Sequence, residues 1–582
     1  MDDEGDGRRQ KWDSHIRTIS NVVRDVNFAD DLASDPSILN AVKSLYRICK
    51  DSEAKSVDMA ARVYPQLNKL FQRSIASIST SKSSYTLLLL AVLQFFLDFG
   101  DMLLHDADTS LRAFFRSCLS REFADPIAAE ATLKFLNENN KKFASSFSLI
   151  LTQFFPLLLK LAVWNGEKLE KSFLQIFPII ISPASFLPLF PALVDLPVLA
   201  VALERVERSS GSLIGSNIAS LQKSAAPEML LALMDEAYTG STIGDASVDS
   251  KYNDDATVDI ADPLFLELLK DENDGLAERR WACPSVSAAV QSAVAAKSGR
   301  LLHVLKMTPR TVETYFRVAL SDVNDALICA LIPLIMERND KLFPDTNFSY
   351  EVRKRFLEFI LAAFQRSPSV ISLLKKPIIN MLGEASDSPA KAELAMQLCW
   401  AIGEHGGGGA SDKDAARELF EALELLLYEN LSSSRLGTRE RSFSVPETRE
   451  KVSQSRLMCF VVTAISKLAT CHRELVPRAR VSLGKVARSR PSDGVVWRRA
   501  CDFLGLLNEP GICSSVLGPS RPISGSFRSP GSVNWNGENS EIVAHLPFYI
   551  LGTQQAFGPP YHDFCFKDII PTADMSLESS SV

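Results

Sequence analysis

Apolar residues recur along this chain with the period of an α-helix, and this pattern constrains the fold more than any other feature. One stripe follows the spacing i, i+3, i+4, i+7, i+8 and i+11 and consists of Leu457, Phe460, Val461, Ala464, Ile465 and Leu468. No run of residues alternates convincingly between apolar and polar positions, as a half-buried strand would. The sequence therefore predicts an all-α fold.

The predicted helices come in pairs. Pairs begin near Thr311, Glu351, Ala390 and Ser453, and the first two intervals are about 40 residues, which is the spacing of HEAT and armadillo repeats. A single pair cannot bury its own apolar face, so neighbouring pairs must stack. We therefore predict a HEAT/armadillo-like α-solenoid.

Changes in composition divide this solenoid into segments. Residues 1–238 and 263–517 are predicted to form its N-terminal and C-terminal halves. Gly, Ser, Thr and Asp dominate 239–262, which indicates a flexible acidic insertion. A polar loop is predicted at 432–455, and the Pro, Gly and Ser content of 518–582 predicts an irregular C-terminal tail.

Two apolar runs raise the question of a membrane span. Phe173 to Val194 lacks charged residues but contains four prolines, each of which removes a helical hydrogen bond. This favours short buried helices and turns. The run Leu87 to Leu97 has only 11 residues, fewer than a span needs. We therefore predict no transmembrane segment.

Composition and motifs also bear on the class of function. The net charge of −7 argues against a nucleic-acid-binding protein, and ten scattered cysteines without Cys-x-x-Cys indicate buried thiols in a reducing compartment. Neither Gly211–Gly215 nor Gly406–Gly409 leads into the Lys-Ser/Thr of a phosphate loop. No metal-ligand spacing or nucleophile motif occurs, and His405 at a helix end favours a structural role. We predict a non-enzymatic protein without cofactor or metal.

The strongest charge feature is a basic region from Arg473 to Arg499. It carries eight cations, namely Arg473, Arg478, Arg480, Lys485, Arg488, Arg490, Arg498 and Arg499. A solvated face between helices is one interpretation, and contact with an anionic membrane or an acidic partner is the other. Eleven acids between Asp245 and Glu278 could meet such a region on another subunit. Ser442 and Ser444, beside arginines, are possible phosphorylation sites.

A helical segment that is apolar on nearly all sides contains Trp400-Ala-Ile-Gly403-Glu404. Such a helix belongs inside a stack, where Gly403 would let a neighbouring backbone approach closely. A glutamate at a helix C-terminus is disfavoured by the dipole, so Glu404 should have a specific partner. Arg417 or a backbone N–H of the next helix are the candidates. We predict that Trp400, Gly403 and Glu404 form a buried packing element.

The Trp-x-x-Gly-Glu element resembles one in the trunks of large adaptin subunits. Longer segments resemble the zeta-subunit family of the fifth adaptor-protein complex, and the resemblance extends roughly from Phe143 to Leu507. The segments, in order, are Phe155-Pro-Leu-Leu-Leu-Lys-Leu-Ala-Val-Trp164-Asn165, Phe190-Pro-Ala-Leu-Val-Asp-Leu-Pro197, Leu419-Phe-Glu-Ala-Leu-Glu-Leu-Leu-Leu-Tyr428, Lys467-Leu-Ala and Leu475-Val-Pro-Arg-Ala479. Adaptin trunks usually have Tyr in place of His405, and they lack the Gly406–Gly409 run.

The resemblance implies a large subunit of a heterotetrameric adaptor in vesicle-mediated protein transport, peripheral on late endosomes and lysosomes and independent of clathrin. It also implies small sigma-type, mu and beta subunits as partners, together with spatacsin-like and spastizin-like proteins. No Leu-Φ-x-Φ-acid clathrin box follows Gly518. Because a fold alone does not determine function, a HEAT-repeat scaffold in nuclear transport or DNA repair is the alternative. The missing phosphate loop disfavours an ATP-driven repair enzyme.

Overall fold

The computed structural model describes residues 3–24, 36–51, 56–78, 84–210, 218, 268–273, 284–296, 298–367, 369–385, 389–406, 413–436, 446–489 and 494–517. Within these ranges all regular structure is helical and no strand occurs, so the predicted all-α class is confirmed. The chain forms two compact units, Met1–Thr311 (unit 1) and Val312–Val582 (unit 2). The segments 239–262 and 518–582, together with Ser442, Ser444 and Arg490, lie outside the described residues.

Unit 1 is built from successive helices that pack on their neighbours. Its helices are α1 (Asp3–Arg24), α2 (Pro36–Asp51), α3 (Ser56–Ser77), α4 (Thr86–Leu103), α5 (Ala107–Ala113), α6 (Pro126–Glu138), α7 (Asn140–Ser145), α8 (Ser148–Asn165), α9 (Glu167–Ile180), α10 (Phe186–Val194), α11 (Leu196–Ser210) and α12 (Pro284–Ala296). A π-helical turn, Phe114–Leu119, and a last turn, Ser120–Glu122, continue α5. Helix α13 (Gly299–Asp322) crosses the boundary between the units.

Unit 2 continues with helices α14 (Asp325–Arg338), α15 (Thr346–Arg366), α16 (Ser369–Leu373), α17 (Lys375–Gly383), α18 (Pro389–His405), α19 (Lys413–Leu436), α20 (Pro446–Cys471), α21 (Val476–Ser489), α22 (Gly494–Asn508) and α23 (Pro510–Leu517). Because α19 extends to Leu436 and α20 begins at Pro446, both ends of the predicted loop 432–455 are helical. The polar composition of these ends indicated a loop, whereas the backbone continues both helices through them.

The later helices of unit 2 form two layers. Helices α17, α19 and α21 are successive neighbours in one layer, and α18, α20 and α22 are neighbours in the other. Helix α20 packs against α18, α19, α21 and α22, and its stripe from Leu457 to Leu468 is buried. Each helix thus covers the apolar face of the next, as expected of a solenoid repeat.

Local sequence signals explain where several helices begin. The carboxylates of Asp106, Asp125 and Asp345 accept hydrogen bonds from the free N–H groups at the starts of α5, α6 and α15. Asn324 caps α14 in the same way, and Pro126 occupies the first turn of α6, where no N–H donor is needed.

Helices α4 and α8 are the most apolar long helices of unit 1. By length and composition alone both could cross a membrane, as could the bent pair of Phe186–Val194 and Leu196–Glu207 if it is one span. The apolar run Leu87 to Leu97 lies within a longer helix, because α4 continues to Leu103. Of the 18 residues in each helix, 61% are buried inside the protein in α4 and 67% in α8, which supports their role as core helices.

Candidate functional site

The Trp-x-x-Gly-Glu element lies in the last turns of α18, where this helix packs on α20. Trp400, Ala401 and Ile402 are buried. Leu394 to Cys399 are buried as well, so α18 is enclosed on nearly all sides. These residues form packing contacts and offer no exposed side chain for a ligand.

Two glycines lie where α18 meets α20. A Cβ at Gly403 would lie 3.4 Å from the Cα of Ala464, which is ordinary contact with the neighbouring backbone. A Cβ at Gly406 would lie 2.5 Å from the carbonyl oxygen of Ile402 and 3.1 Å from Leu468 Cδ2. Both glycines therefore border close packing, but only Gly406 excludes a larger residue.

Glu404 pairs with Lys467, whose Nζ donates a hydrogen bond to Glu404 Oε1. The side chains are 10% and 2% exposed, so the pair is nearly enclosed between α18 and α20. Arg417, one of the two predicted candidates, is not this partner, because its guanidinium lies near Asp414 and Glu474 instead. Lys467 is the single charged residue between Leu457 and Cys471, and that isolated charge was the signal in the sequence that could have identified it.

His405 follows Glu404 and ends α18. Burial lowers the pKa of its imidazole to about 4, an effect that the nearby Glu404 carboxylate opposes and the Lys467 ammonium reinforces. The ring is therefore neutral near pH 7. Within the described residues no group of three or more His, Cys, Asp and Glu side chains could hold a metal ion.

The predicted basic region contains side chains with quite different surroundings. Arg473, Arg478, Arg480, Lys485 and Arg488 are exposed, whereas Arg499 is only 7% exposed. The prediction of a surface role for Arg499 was therefore wrong, because its helix face is covered. Arg480 donates to the carbonyl of Leu507 at 2.8 Å, and Arg488 to that of Gly484 at 3.0 Å. Part of the basic charge thus binds the protein's own backbone.

Arg478 is the centre of an ion-pair network between α19 and α21. Its guanidinium donates to Glu421 at 2.8 Å and to Glu424 at 2.5 Å, and the hydrogen bond to Glu421 is the main cause of its raised pKa. Ser482 also donates to Glu424, and its hydroxyl lies 2.8 Å from that of Tyr428. Sequence reasoning missed this network because it joins residues more than 50 positions apart.

The contacts of this network show that α19 and α21 run in the same direction. Arg478 meets Glu421, and seven residues further along both helices the Lys485 ammonium lies 4.0 Å from the centre of the Tyr428 ring. Between these two contacts each helix exposes an apolar side chain, Leu425 on α19 and Val481 on α21. The α19–α21 face, defined by Glu421, Leu425, Tyr428, Arg478, Val481 and Lys485, thus combines exposed apolar groups with charged groups.

Two family models match the chain. One, described as AP-5 complex subunit, vesicle trafficking, matches residues 33–160. The other, described as AP-5 complex subunit zeta-1, C-terminal TPR repeats, matches residues 262–529. Together they cover more than half of the chain. The second names TPR repeats where the spacing indicated HEAT or armadillo repeats. All three types stack repeats of two or three helices, and loops of different lengths make the repeat period hard to read from sequence.

Curated relatives agree with the family models. The chain is 25% identical over 445 residues to AP-5 complex subunit zeta-1 of Mus musculus, an alignment that covers 74% of this chain and 50% of the relative. With the Homo sapiens protein of the same name the identity is 24% over 451 residues, covering 75% and 51%. The chain thus spans about half the length of these relatives. No solved structure matches it.

Four observations thus agree: an all-α fold, stacked helices, and family matches and curated relatives that carry one name. The chain belongs to the AP-5 complex subunit zeta-1 family.

Proposed function

We propose that this chain is a non-enzymatic scaffold subunit of an AP-5 adaptor complex in vesicle trafficking. The observation that carries the proposal is the pair of family matches on the helical units, with 33–160 in unit 1 and 262–529 over the end of unit 1 and the helices of unit 2. Stacked helices hold their exposed faces rigidly, and rigid faces bind partners with little loss of conformational entropy. The chain then acts by binding.

The resemblance to adaptin trunks supports a more detailed proposal. We expect small sigma-type, mu and beta subunits as direct or indirect partners, with spatacsin-like and spastizin-like proteins associated with the assembly. We expect this assembly to work at late endosomes and lysosomes without clathrin. Microscopy of the tagged chain against markers of these compartments, before and after clathrin depletion, tests both expectations.

Peripheral contact with an anionic membrane is also part of the proposal. Exposed Arg473, Lys485 and Arg488 support it, since each cation near such a surface contributes on the order of 1 kcal/mol. Arg478 contributes less, because Glu421 and Glu424 offset its charge.

The deciding experiment is affinity capture of the tagged full chain from cells, followed by quantitative mass spectrometry. We expect sigma-like and mu-like subunits to be enriched. Leu427→Asp places a charge on the buried face of α19 and should abolish this enrichment. Leu373→Asp, at an exposed position of α16, should retain it. This matched pair tests whether the folded helices of unit 2 carry the assembly.

Other outcomes would contradict the proposal. Enrichment of nuclear-transport or chromatin proteins in place of adaptor subunits would favour the alternative scaffold. ATP hydrolysis that is lost on substitution of Gly211 or Gly215 would favour an enzyme.

A further inference from the structure

A short segment within the acidic stretch Asp245–Glu278 binds to helix α8 of unit 1 as a ligand would. This segment, residues 268–273, is called the strap, and it packs on α8. The side chains of Leu268 and Leu269 are buried. The strap's polar contacts are made with residues more than 100 positions earlier in the chain.

The strap binds where a proline interrupts the hydrogen bonds of α8. Pro156 has no N–H, so the carbonyl of Thr152 lacks its helical donor. Asn273 supplies donors there: its N–H bonds to the carbonyl of Gln153 at 2.7 Å, and its Nδ2 lies 3.5 Å from that of Thr152. The N–H of Leu157 in turn donates to the Asp271 carbonyl at 3.3 Å. The strap thus satisfies backbone groups that an uninterrupted helix would pair internally.

Two cations hold the acidic end of the strap. Lys160, only 1% exposed, donates to the carbonyl of Leu269 and lies 2.8 Å from Asp271 Oδ1. Arg116, in the π-helical turn, binds Glu272 in a bidentate manner at 2.6 and 2.9 Å. The arginine hydrogen bond lowers the pKa of Glu272, so this carboxylate is charged near neutral pH. Charge-assisted contacts therefore add to the apolar ones.

These contacts define a groove between α8 and the π-helical turn with three recognition features. It buries two consecutive leucines, offers the Gln153 carbonyl and the Leu157 N–H of α8 to the backbone of the bound segment, and presents two cations to an acidic pair. We propose that this groove is a peptide-recognition site, occupied in cis by the strap, that also binds in trans a partner segment with a leucine pair followed two residues later by an acidic pair. A segment in trans meets the same contacts, and only the effective concentration of the tethered strap opposes it.

The test is fluorescence anisotropy with a labelled peptide of residues 264–275 and the full chain. The variant Leu268→Ser/Leu269→Ser releases the strap and frees the groove. A short tether gives an effective concentration on the order of millimolar, and the gain in affinity equals this concentration divided by the Kd of the free groove. For a Kd of about 30 μM we therefore expect this variant to bind the peptide about 30-fold more tightly than the unaltered chain. A peptide with both leucines replaced by serine should not bind.

Groove variants test the cationic side of the site in the released chain. Arg116→Gln should weaken peptide binding about 5-fold, since Arg116 is half exposed and pairs with Glu272. Lys134→Gln, on the exposed face of α6, removes the same charge and should change nothing. Equal peptide affinity in the released and the unaltered chain, with unchanged helical circular dichroism, would overturn the proposal.

A measurement on the unaltered chain keeps the test independent of folding in the variant. Millimolar peptide should displace the strap and accelerate hydrogen exchange of its amides, residues 268–273, while the helices of unit 1 stay protected. Unchanged exchange in the strap at this concentration would also refute a site that accepts ligands in trans.

Discussion

Replacing Glu404 with glutamine should destabilise unit 2, because it leaves the ammonium of Lys467 without a counter-charge. Lys467 is 2% exposed and Glu404 10% exposed, so water cannot take over the lost interaction. Breaking a buried ion pair costs about 3–5 kcal/mol. Glutamine keeps an oxygen that can accept the lysine hydrogen bond, which places the expected loss near the lower end, about 3 kcal/mol.

The measurement is thermal unfolding of the full chain, followed by tryptophan fluorescence and calorimetry. For a unit of this size a change of 1 kcal/mol shifts the midpoint by about 2–4 °C, so the transition of unit 2 should fall by roughly 6–12 °C. Combining Glu404→Gln with Lys467→Met should restore at least half of this loss, because the double variant buries no unpaired charge.

Glu421→Gln is the matched control. It makes the same chemical change in an ion pair between neighbouring helices, but both side chains of the Glu421–Arg478 pair are about half exposed. Such pairs contribute about 0–1 kcal/mol. If Glu404→Gln shifts the transition no more than Glu421→Gln does, the buried pair is not a stabilising element and the reasoning is refuted.

Three further predictions concern backbone geometry and pH. In urea unfolding, Gly403→Ala should leave the stability unchanged or raise it slightly. Gly406→Ala should lower the stability by more than about 1 kcal/mol, because its Cβ would lie 2.5 Å from a carbonyl oxygen. Equal changes in stability for the two variants would contradict the geometry. Leu104, 95% exposed and at φ 53°, is in a conformation that disfavours side chains. Leu104→Gly should therefore raise stability by up to about 1 kcal/mol, while Met102→Gly in the adjoining helix should lower it; a loss in both would argue against backbone strain. Because the pKa of His405 is lowered to about 4, the stability that its neutral ring contributes is complete above the ordinary value of about 6.5. Between pH 6.5 and about pH 4 that stability falls by about 1.4 kcal/mol per pH unit. His405→Leu should therefore flatten a plot of unfolding free energy against pH, and an unaltered slope would show that His405 does not cause the pH dependence.

Helical periodicity was sufficient to predict the fold class. The stripe from Leu457 to Leu468 is buried in α20, as its spacing indicates. The four prolines between Phe173 and Val194 were also informative, because that run forms the end of α9, a turn and α10. The apolar run Leu87 to Leu97 is shorter than α4, because the residues that follow it, Asp98 and Gly100 among them, are accommodated in a helix packed on its neighbours.

Pairings across helices could not be predicted from sequence. Glu404 was expected to have a partner, but the choice between Arg417 and Lys467 depends on the rotation of α20 relative to α18, which no local pattern determines. The Arg478 network and the strap depend in the same way on contacts between residues far apart in the chain. A basic stretch such as Arg473 to Arg499 likewise predicts charge without revealing which cations the protein itself neutralises.

The proline interruption in α8 has a consequence for the timing of folding during synthesis. The backbone acceptor at Thr152 receives its donor from Asn273, 121 residues later in the chain. At about 5–20 residues per second, a ribosome needs roughly 6–24 s to add that length. During this interval the Thr152 carbonyl lacks this donor, so this part of unit 1 completes its hydrogen bonds only after the nascent strap has left the exit tunnel.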